Sequence, residues 1–215
     1  MSTIFKIFEC LNHECRFRCP ESPTDNPLEK CPFCGSVGKK TDYGYPDNED
    51  WEKKAATPNI HLEVLLDNLR SIYNVGSIFR TSDGAGIQRL YLGGYTPTPE
   101  HPKLRKTGLG SEWSVPWDYV RNGSDLVLSK KNEGYHIYVL ERTPSAISIF
   151  ETLPARPASP ILLVIGNEKV GVDPEIINIS HQVVYIPMAG RKRSLNVATA
   201  FGIAAYALTM NQKSF

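Results

Sequence analysis

From Ile60 onward, short apolar runs of β-forming residues alternate with stretches whose apolar positions recur at helical spacing. Ile60-His61-Leu62-Glu63-Val64-Leu65-Leu66 predicts a strand, the residues from about Asn74 to Ala85 a helix, and Ile87 to Gly93 a second strand. Tyr135 to Glu141, Ile161 to Ile165 and Val183 to Pro187 are further apolar runs, each bounded by Gly, Pro or Asn, and read as strands. Strands that alternate with helices build a mostly parallel sheet covered on both faces, so the predicted class is α/β. Ligands of such sheets bind beyond the carboxyl ends of the strands, which directs attention to the loops after these runs. The last predicted helix, about Leu195 to Met210, is apolar on nearly every side. A helix without a polar face is buried all round, which at this position points to a partner subunit, with burial inside the monomer as the alternative.

The chain before Ile60 follows no such pattern. Asp42 to Thr57 is polar, carries Pro46, Asp47, Asn48, Glu49 and Asp50, and reads as a linker with a boundary near residue 58. The organisation predicted is a small module over 1–45, a linker over 46–59 and a larger domain over 60–215. All five cysteines fall in the small module, at positions 10, 15, 19, 31 and 34. An odd number of cysteines at one end of an intracellular chain argues for metal rather than disulfides. Cys31-Pro32-Phe33-Cys34-Gly35 has the zinc-knuckle pattern, two thiolates meeting at one ion with a glycine in the turn behind them. Cys10 and Cys15 are the favoured second pair, with Cys19 and His13 as alternative ligands, so the module is read as zinc-ribbon-like. It has too few apolar residues to fold without such a staple.

With 215 residues, 41% hydrophobic and 22% charged, the chain has the composition of a globular protein rather than of a disordered or coiled-coil one. No apolar stretch reaches the roughly 18–20 residues of a membrane span, and the start Met1-Ser2-Thr3-Ile4-Phe5-Lys6 lacks the core of a secretion signal, so no membrane partner and a cytoplasmic location are expected. The net charge of +1 hides an asymmetry, because residues 1–50 carry six basic against nine acidic side chains and the remainder is basic. Basic residues cluster at Lys103, Arg105 and Lys106 and at Arg191, Lys192 and Arg193. On charge alone each cluster is equally a solvated face. No Gly-x-Gly-x-x-Gly follows a strand and no Gly-Lys-Ser/Thr loop exists, which disfavours a Rossmann dehydrogenase and a P-loop NTPase.

Three segments carry polar residues that the fold alone does not require. The first is Asn74-Val75-Gly76-Ser77-Ile78-Phe79-Arg80, at a helix start where Asn74 reads as a cap. The second is Gly166-Asn167-Glu168-Lys169-Val170-Gly171, directly after a strand. The third is Pro187-Met188-Ala189-Gly190-Arg191-Lys192-Arg193-Ser194-Leu195-Asn196-Val197-Ala198, a strand end, loop and helix start. Together and in this order they closely resemble the three signature motifs of the SpoU (TrmH-type) RNA ribose 2′-O-methyltransferases of the SPOUT superfamily. The resemblance covers about residues 60–215.

That resemblance implies a SPOUT-type sheet with a carboxy-terminal trefoil knot, S-adenosylmethionine as cofactor, tRNA or rRNA as partner, and a homodimer in which each site borrows residues from its neighbour. It implies catalytic roles for Asn74, Arg80, Glu168, Ser194 and Asn196, and cofactor contacts from Leu140, Gly166, Ile186 and Leu195. A catalytically silent RNA-binding protein of the same fold is the alternative. The chemistry of the residues agrees with an enzyme. A ribose hydroxyl is a poor nucleophile, so the site must orient it and stabilise the charge that develops on oxygen, a task suited to the fixed, forked cation of Arg80. Glu168 is placed to pair with Arg80 or to hold a neighbouring backbone. With RNA as substrate, Lys103, Arg105, Lys106, Arg191 and Arg193 become candidate phosphate contacts, and Trp113 a candidate for stacking on a base or for the core.

Overall fold

The structure is a computed structural model that describes residues 3–21, 26–45, 58, 60–151 and 159–210. The chain divides into two compact units, Met1–Ala55 and Ala56–Phe215. Most of the predicted linker, 46–57 and residue 59, lies outside the described residues.

In the first unit, β1 (Thr3–Cys10), β2 (Arg18–Glu21) and β3 (Gly38–Tyr45) form an antiparallel sheet in the order β2-β1-β3. β3 runs four residues into the segment read as linker from Asp42, because its backbone keeps pairing with β1 as far as Thr3 opposite Tyr45. The unit's core consists of buried Phe8, Cys10 and Cys31, with Phe17 and Leu28 packed against them.

The second unit is built on a seven-stranded sheet of β4 (Leu62–Asp67), β5 (Arg89–Gly93), β6 (Trp117–Val120), β7 (His136–Leu140), β8 (Ile147–Ser148), β9 (Ile161–Ile165) and β10 (Gln182–Tyr185). Their order is β6-β5-β4-β9-β7-β10-β8, and every pairing is parallel. The expected α/β class with a mostly parallel sheet flanked by helices is what the chain adopts. Alternation along the central strands sends side chains to two cores. Leu62, Val64, Leu66, Leu163 and Ile165 meet α1 (Ile72–Ala85) on one face through Val75, Ile78 and Phe79. The last helix, which we label α6 (Val197–Met210), joins the same core through Phe201, Ala204, Ala205 and Leu208. On the other face Leu65, Ile137, Val139, Leu162 and Val164 pack with Val127 of α4 (Gly123–Asn132) and Ile176 of α5 (Pro174–Ile179). Two single-turn helices, α2 (Arg105–Gly108) and α3 (Ser111–Ser114), lie between β5 and β6. No helix among the described residues is long and apolar enough to cross a membrane.

Three expectations are corrected. The first helix starts two residues earlier than read, because Ser71, not Asn74, is its cap: the Ser71 hydroxyl accepts the Asn74 amide at 3.3 Å. The last strand ends at Tyr185, leaving Ile186 and Pro187 in the loop. The last helix starts at Val197, so Leu195 precedes it; within one chain Tyr206 is 45% exposed and Thr199 is also exposed, so the monomer alone does not cover every side of it.

At the amino end of the sheet Glu63 is buried, yet its carboxylate is fully engaged. It meets the Lys130 ammonium at 3.0 Å, His61 at 3.1 Å and the hydroxyls of Tyr91 and Tyr135 at 2.9 Å each. Burial by itself raises the Glu63 pKa, but hydrogen bonds from His61, Lys130, Tyr135 and Tyr91 outweigh it and hold the carboxyl below its ordinary value. The folded state therefore binds this proton less tightly than the unfolded chain. The resulting stabilisation is complete above the unfolded carboxyl pKa of roughly 4.3 and is lost as the pH falls through the lower folded value. Glu63→Gln is expected to lower stability near neutral pH by on the order of 2 kcal/mol, since it removes one of the two carboxylates that pair with Lys130 and leaves only Glu133 at 3.1 Å. It should also lessen the further loss on acidification. Thermal melts of both proteins from neutral pH to about pH 3 check this, and parallel acid limbs refute it.

Candidate functional site

Three adjacent strands, β9, β7 and β10, end at one level, with Leu140 paired to both Ile165 and Val184. The loops that leave these ends enclose a cavity of about 490 Å³. Its apolar lining includes Leu140, Ile165, Ile186, Leu195, Val197 and Ala200, and its charged lining Glu141, Arg142, Glu168, Lys169 and Arg193. Gly166 and Ser194 also line it.

The loop after β9 is held by its own polar groups. Asn167 pairs with Gly171 through two backbone hydrogen bonds of 3.0 and 2.9 Å, and its side-chain oxygen accepts the amides of Lys169 at 2.9 Å and Val170 at 3.2 Å. Gly171 has φ +79°, a conformation that favours glycine. Glu141, just past β7, accepts the Val172 amide at 3.2 Å and so ties the two loops together. From the third loop, the Arg193 carbonyl accepts the Arg142 guanidinium at 3.4 Å. The Asn167 side-chain amide donates to the Asn68 carbonyl and to the Tyr95 hydroxyl, both at 2.6 Å.

Glu168 crosses from this loop to the start of α1. Its carboxylate accepts the backbone amides of Arg70 at 2.9 Å and Ser71 at 3.1 Å and the side-chain amide of Asn74 at 3.1 Å. Burial tends to raise its pKa, but the amides of Arg70, of Glu168 itself and of Ser71, with the Asn74 side chain, together hold it below the ordinary value. A carboxylate in this position also meets the positive end of the helix dipole. The Asn74 side-chain oxygen in turn accepts the Asn196 amide at 3.1 Å. Asn196 caps α6, its side-chain oxygen accepting the amides of Ala198 at 3.0 Å and Thr199 at 3.3 Å. One hydrogen-bonded chain thus joins the three sequence motifs.

Of the residues singled out from sequence, Asn74, Glu168 and Asn196 come together in that chain, and Leu140, Gly166, Ile186, Ser194, Leu195 and Arg193 line the cavity. Arg80 does not join them. It is exposed on α1, outside the cavity lining, and makes no hydrogen bond or ion pair among the described residues. Glu168 holds backbone rather than Arg80. Lys103, Arg105, Lys106 and Arg191 are exposed. Sequence reasoning assigned no role to Glu141, Arg142 or Asn167. Asn167 was visible inside the second motif, whereas a side chain that braces a distant backbone, as Glu141 does, leaves no pattern in the sequence.

In the first unit the sulfurs of Cys10, Cys15, Cys31 and Cys34 all lie within 4.8 Å of one another. Cys10 is 3.5 Å from Cys34 and Cys15 3.6 Å from Cys31. Gly35, with φ +72°, makes the turn behind the second pair. Among the described residues Cys19 and His13 stand outside the cluster.

The SpoU rRNA Methylase family model matches residues 61–206. The chain is 35% identical over 147 residues to the tRNA (guanosine(18)-2′-O)-methyltransferase of Aquifex aeolicus, a match covering 67% of each protein. It is 31% identical over 157 residues to the 23S rRNA (guanosine(2553)-2′-O)-methyltransferase of Bacillus subtilis, covering 73% of this chain and 60% of that enzyme. The crystal structure of the A. aeolicus TrmH/SpoU tRNA modifying enzyme superposes with a TM-score of 0.62 at 31% identity, over 70% of this chain and 76% of that one. The AdoMet-bound rRNA methyltransferase of Sinorhizobium meliloti gives 0.64 at 26% identity, over 86% and 65%. With its three motifs joined at the carboxyl ends of a parallel sheet and most of its length matched, the chain belongs to the SpoU rRNA methylase family.

Proposed function

We propose that this protein transfers a methyl group from S-adenosylmethionine to a ribose 2′-hydroxyl of tRNA or rRNA, and that it works in the cytoplasm as a homodimer with one structural zinc per chain. The observation that carries this reading is the hydrogen-bonded link Glu168–Asn74–Asn196 beside the cavity, which gives all three motifs one structural purpose. The cavity suits the cofactor. Its volume lies in the range of roughly 300–1,000 Å³ usual for ligand sites. Carboxylate and guanidinium groups beside apolar side chains in the lining match a molecule that carries both charge signs and an adenine ring. Leu140, Gly166, Ile186 and Leu195 would hold it, and when bound it supplies an electrophilic methyl group on its sulfonium. Ser194, at the cavity edge, is placed to orient the incoming ribose. Arg80 supplies a fixed cation that holds the RNA backbone and stabilises charge developing on the hydroxyl oxygen.

The absence of Arg80 from the cavity of its own chain fits a dimer in which it serves the neighbour's. Along α6, Thr199 and Tyr206 are exposed and Gly202 and Ile203 half-buried, leaving an apolar stripe for a second copy. The placement of β9 between β4 and β7, both earlier in the chain, suits the carboxy-terminal knot of the family. In the first unit four thiols within 4.8 Å provide the donor set of a closed, tetrahedral zinc site.

Three measurements test these assignments. Metal analysis of protein purified without chelator should find about one zinc per chain, and Cys31→Ser should lose it; less than about half an equivalent in the unaltered protein contradicts the site. Light scattering at micromolar concentration should give the mass of a dimer, and a monomer mass removes the partner-site explanation of Arg80. Arg80→Ala should lower RNA methylation by about 10²–10³-fold while calorimetric S-adenosylmethionine binding stays near that of the unaltered protein. Arg80→Lys separates the contributions, since rescue indicates charge and continued loss indicates the planar fork. Activity near wild type in Arg80→Ala would remove the residue from the mechanism.

A further inference from the structure

The segment from Tyr95 to Ser114 is clamped to the site rather than loosely attached. Its Tyr95 hydroxyl accepts the Asn167 side chain at 2.6 Å, Leu104 is fully buried, and the Ser114 hydroxyl donates to Asp83 at 2.6 Å. Gly76 lets the segment approach α1 closely, for a Cβ there would lie 2.8 Å from the Leu104 carbonyl oxygen. Gly76, Arg80 and Asp83 recur at spacings of four and three residues, so they share one edge of α1. Arg80 stands on that edge between the two points where the segment is anchored.

On this clamped segment Trp113 is 73% exposed and Leu109 65% exposed. The Arg105 guanidinium lies 5.3 Å from the Trp113 ring centroid, and Lys103 and Lys106 are exposed beside it. An indole presented to water, backed by a cation and flanked by two more, has the composition of a single-stranded nucleic-acid surface: cations for phosphates and an aromatic face for a base. A second copy of the chain fits this patch less well, because interface cores are depleted in lysine and a two-fold contact sets like charges against each other.

We propose that the Arg105–Trp113 pair is a stacking platform for an unpaired base of the RNA substrate, next to the nucleotide whose ribose Arg80 addresses. The inference rests on the RNA methyltransferase reading and gives its substrate a requirement: the nucleotides at the site must be unstacked, in a loop, bulge or end, because a paired base offers no free face. Arg105 holds the indole through a cation–π contact, so stacking on it costs little side-chain freedom.

The test titrates the full-length protein and its Trp113→Ala, Trp113→Phe and Arg105→Ala variants with three probes: a short single-stranded RNA, the same strand with abasic positions, and a blunt duplex. Trp113→Ala should weaken binding of the intact strand by about tenfold, the loss of one base stack, and Trp113→Phe should restore most of it. Neither change should affect the abasic strand or the duplex. Arg105→Ala should weaken all three and reduce the salt dependence. Unchanged S-adenosylmethionine affinity and melting temperature verify that each variant is folded. Wild-type affinity in Trp113→Ala, or equal loss on intact and abasic strands, overturns the platform. A dimer mass that changes in Trp113→Ala without a change in RNA affinity also overturns it and assigns the face to a second copy. If the unaltered protein discriminates intact from abasic RNA through Trp113 but methylates none, the platform stands and the methyltransferase reading falls. Active protein without that discrimination gives the reverse result.

Discussion

The site depends on one carboxylate. Glu168 leaves the end of β9 and takes the first exposed amides before α1 together with the Asn74 side chain. The amino end of a helix needs acceptors for its unpaired amides and favours negative charge, and a parallel sheet offers loops at just that height. By satisfying both with one side chain, the protein fixes the height of α1 against the β9 loop. Asn74 is then oriented to receive Asn196, and the loop before α6 follows. The cavity wall at Glu168 is therefore held in place by partners outside the cavity, Arg70, Ser71 and Asn74, a form of preorganisation.

The two units reach stability by different means. The larger one buries both faces of β4 and β9, and of the two buried carboxylates in those strands Glu63 is surrounded by four partners while Asp67 accepts the Asn68 side-chain amide at 2.8 Å. The smaller one has Phe8 and a few partly buried neighbours, too little apolar area to offset the ordering of its chain. Its four thiols, gathered from two turns, form a metal donor set where that core is thin.

What was legible from the sequence follows from how each element is stabilised. β4 and β9 are buried on both faces; β9 reads as an unbroken apolar run and β4 as one interrupted by Glu63, so their existence and, for β9, its bounds were plain. β6 is an edge strand whose Asp118 and Tyr119 face solvent, and its pattern resembles a loop. α2 and α3 are single turns with no period to detect. The start of α1 was read two residues late because Asn74 is itself a good capping residue, whereas the structure uses Ser71 as the cap and turns the Asn74 side chain to Glu168. The four clustered cysteines were identifiable because metal geometry constrains spacing, whereas the reach of Glu141 to the Val172 amide depends on strand order, which local pattern does not encode.

Helix α1 links these features into one functional surface because its faces are assigned to different tasks. Val75, Ile78 and Phe79 enter the core, and Asn74 turns toward Glu168 and Asn196. Gly76 and Asp83 receive the segment that carries Arg105 and Trp113. The edge left over carries Arg80, exposed and without a partner among the described residues. An arginine kept out of its own chain's hydrogen-bond network retains all of its donors for a ligand. Its position is nonetheless rigid at the backbone, since the helix is fixed on one side by Glu168 and on another by the clamped segment. A cation with a fixed root and free donors suits a group that must meet phosphate and hydroxyl only when substrate arrives, and the sequence spacing of four and three residues around Arg80 places it beside the surface proposed to hold that substrate.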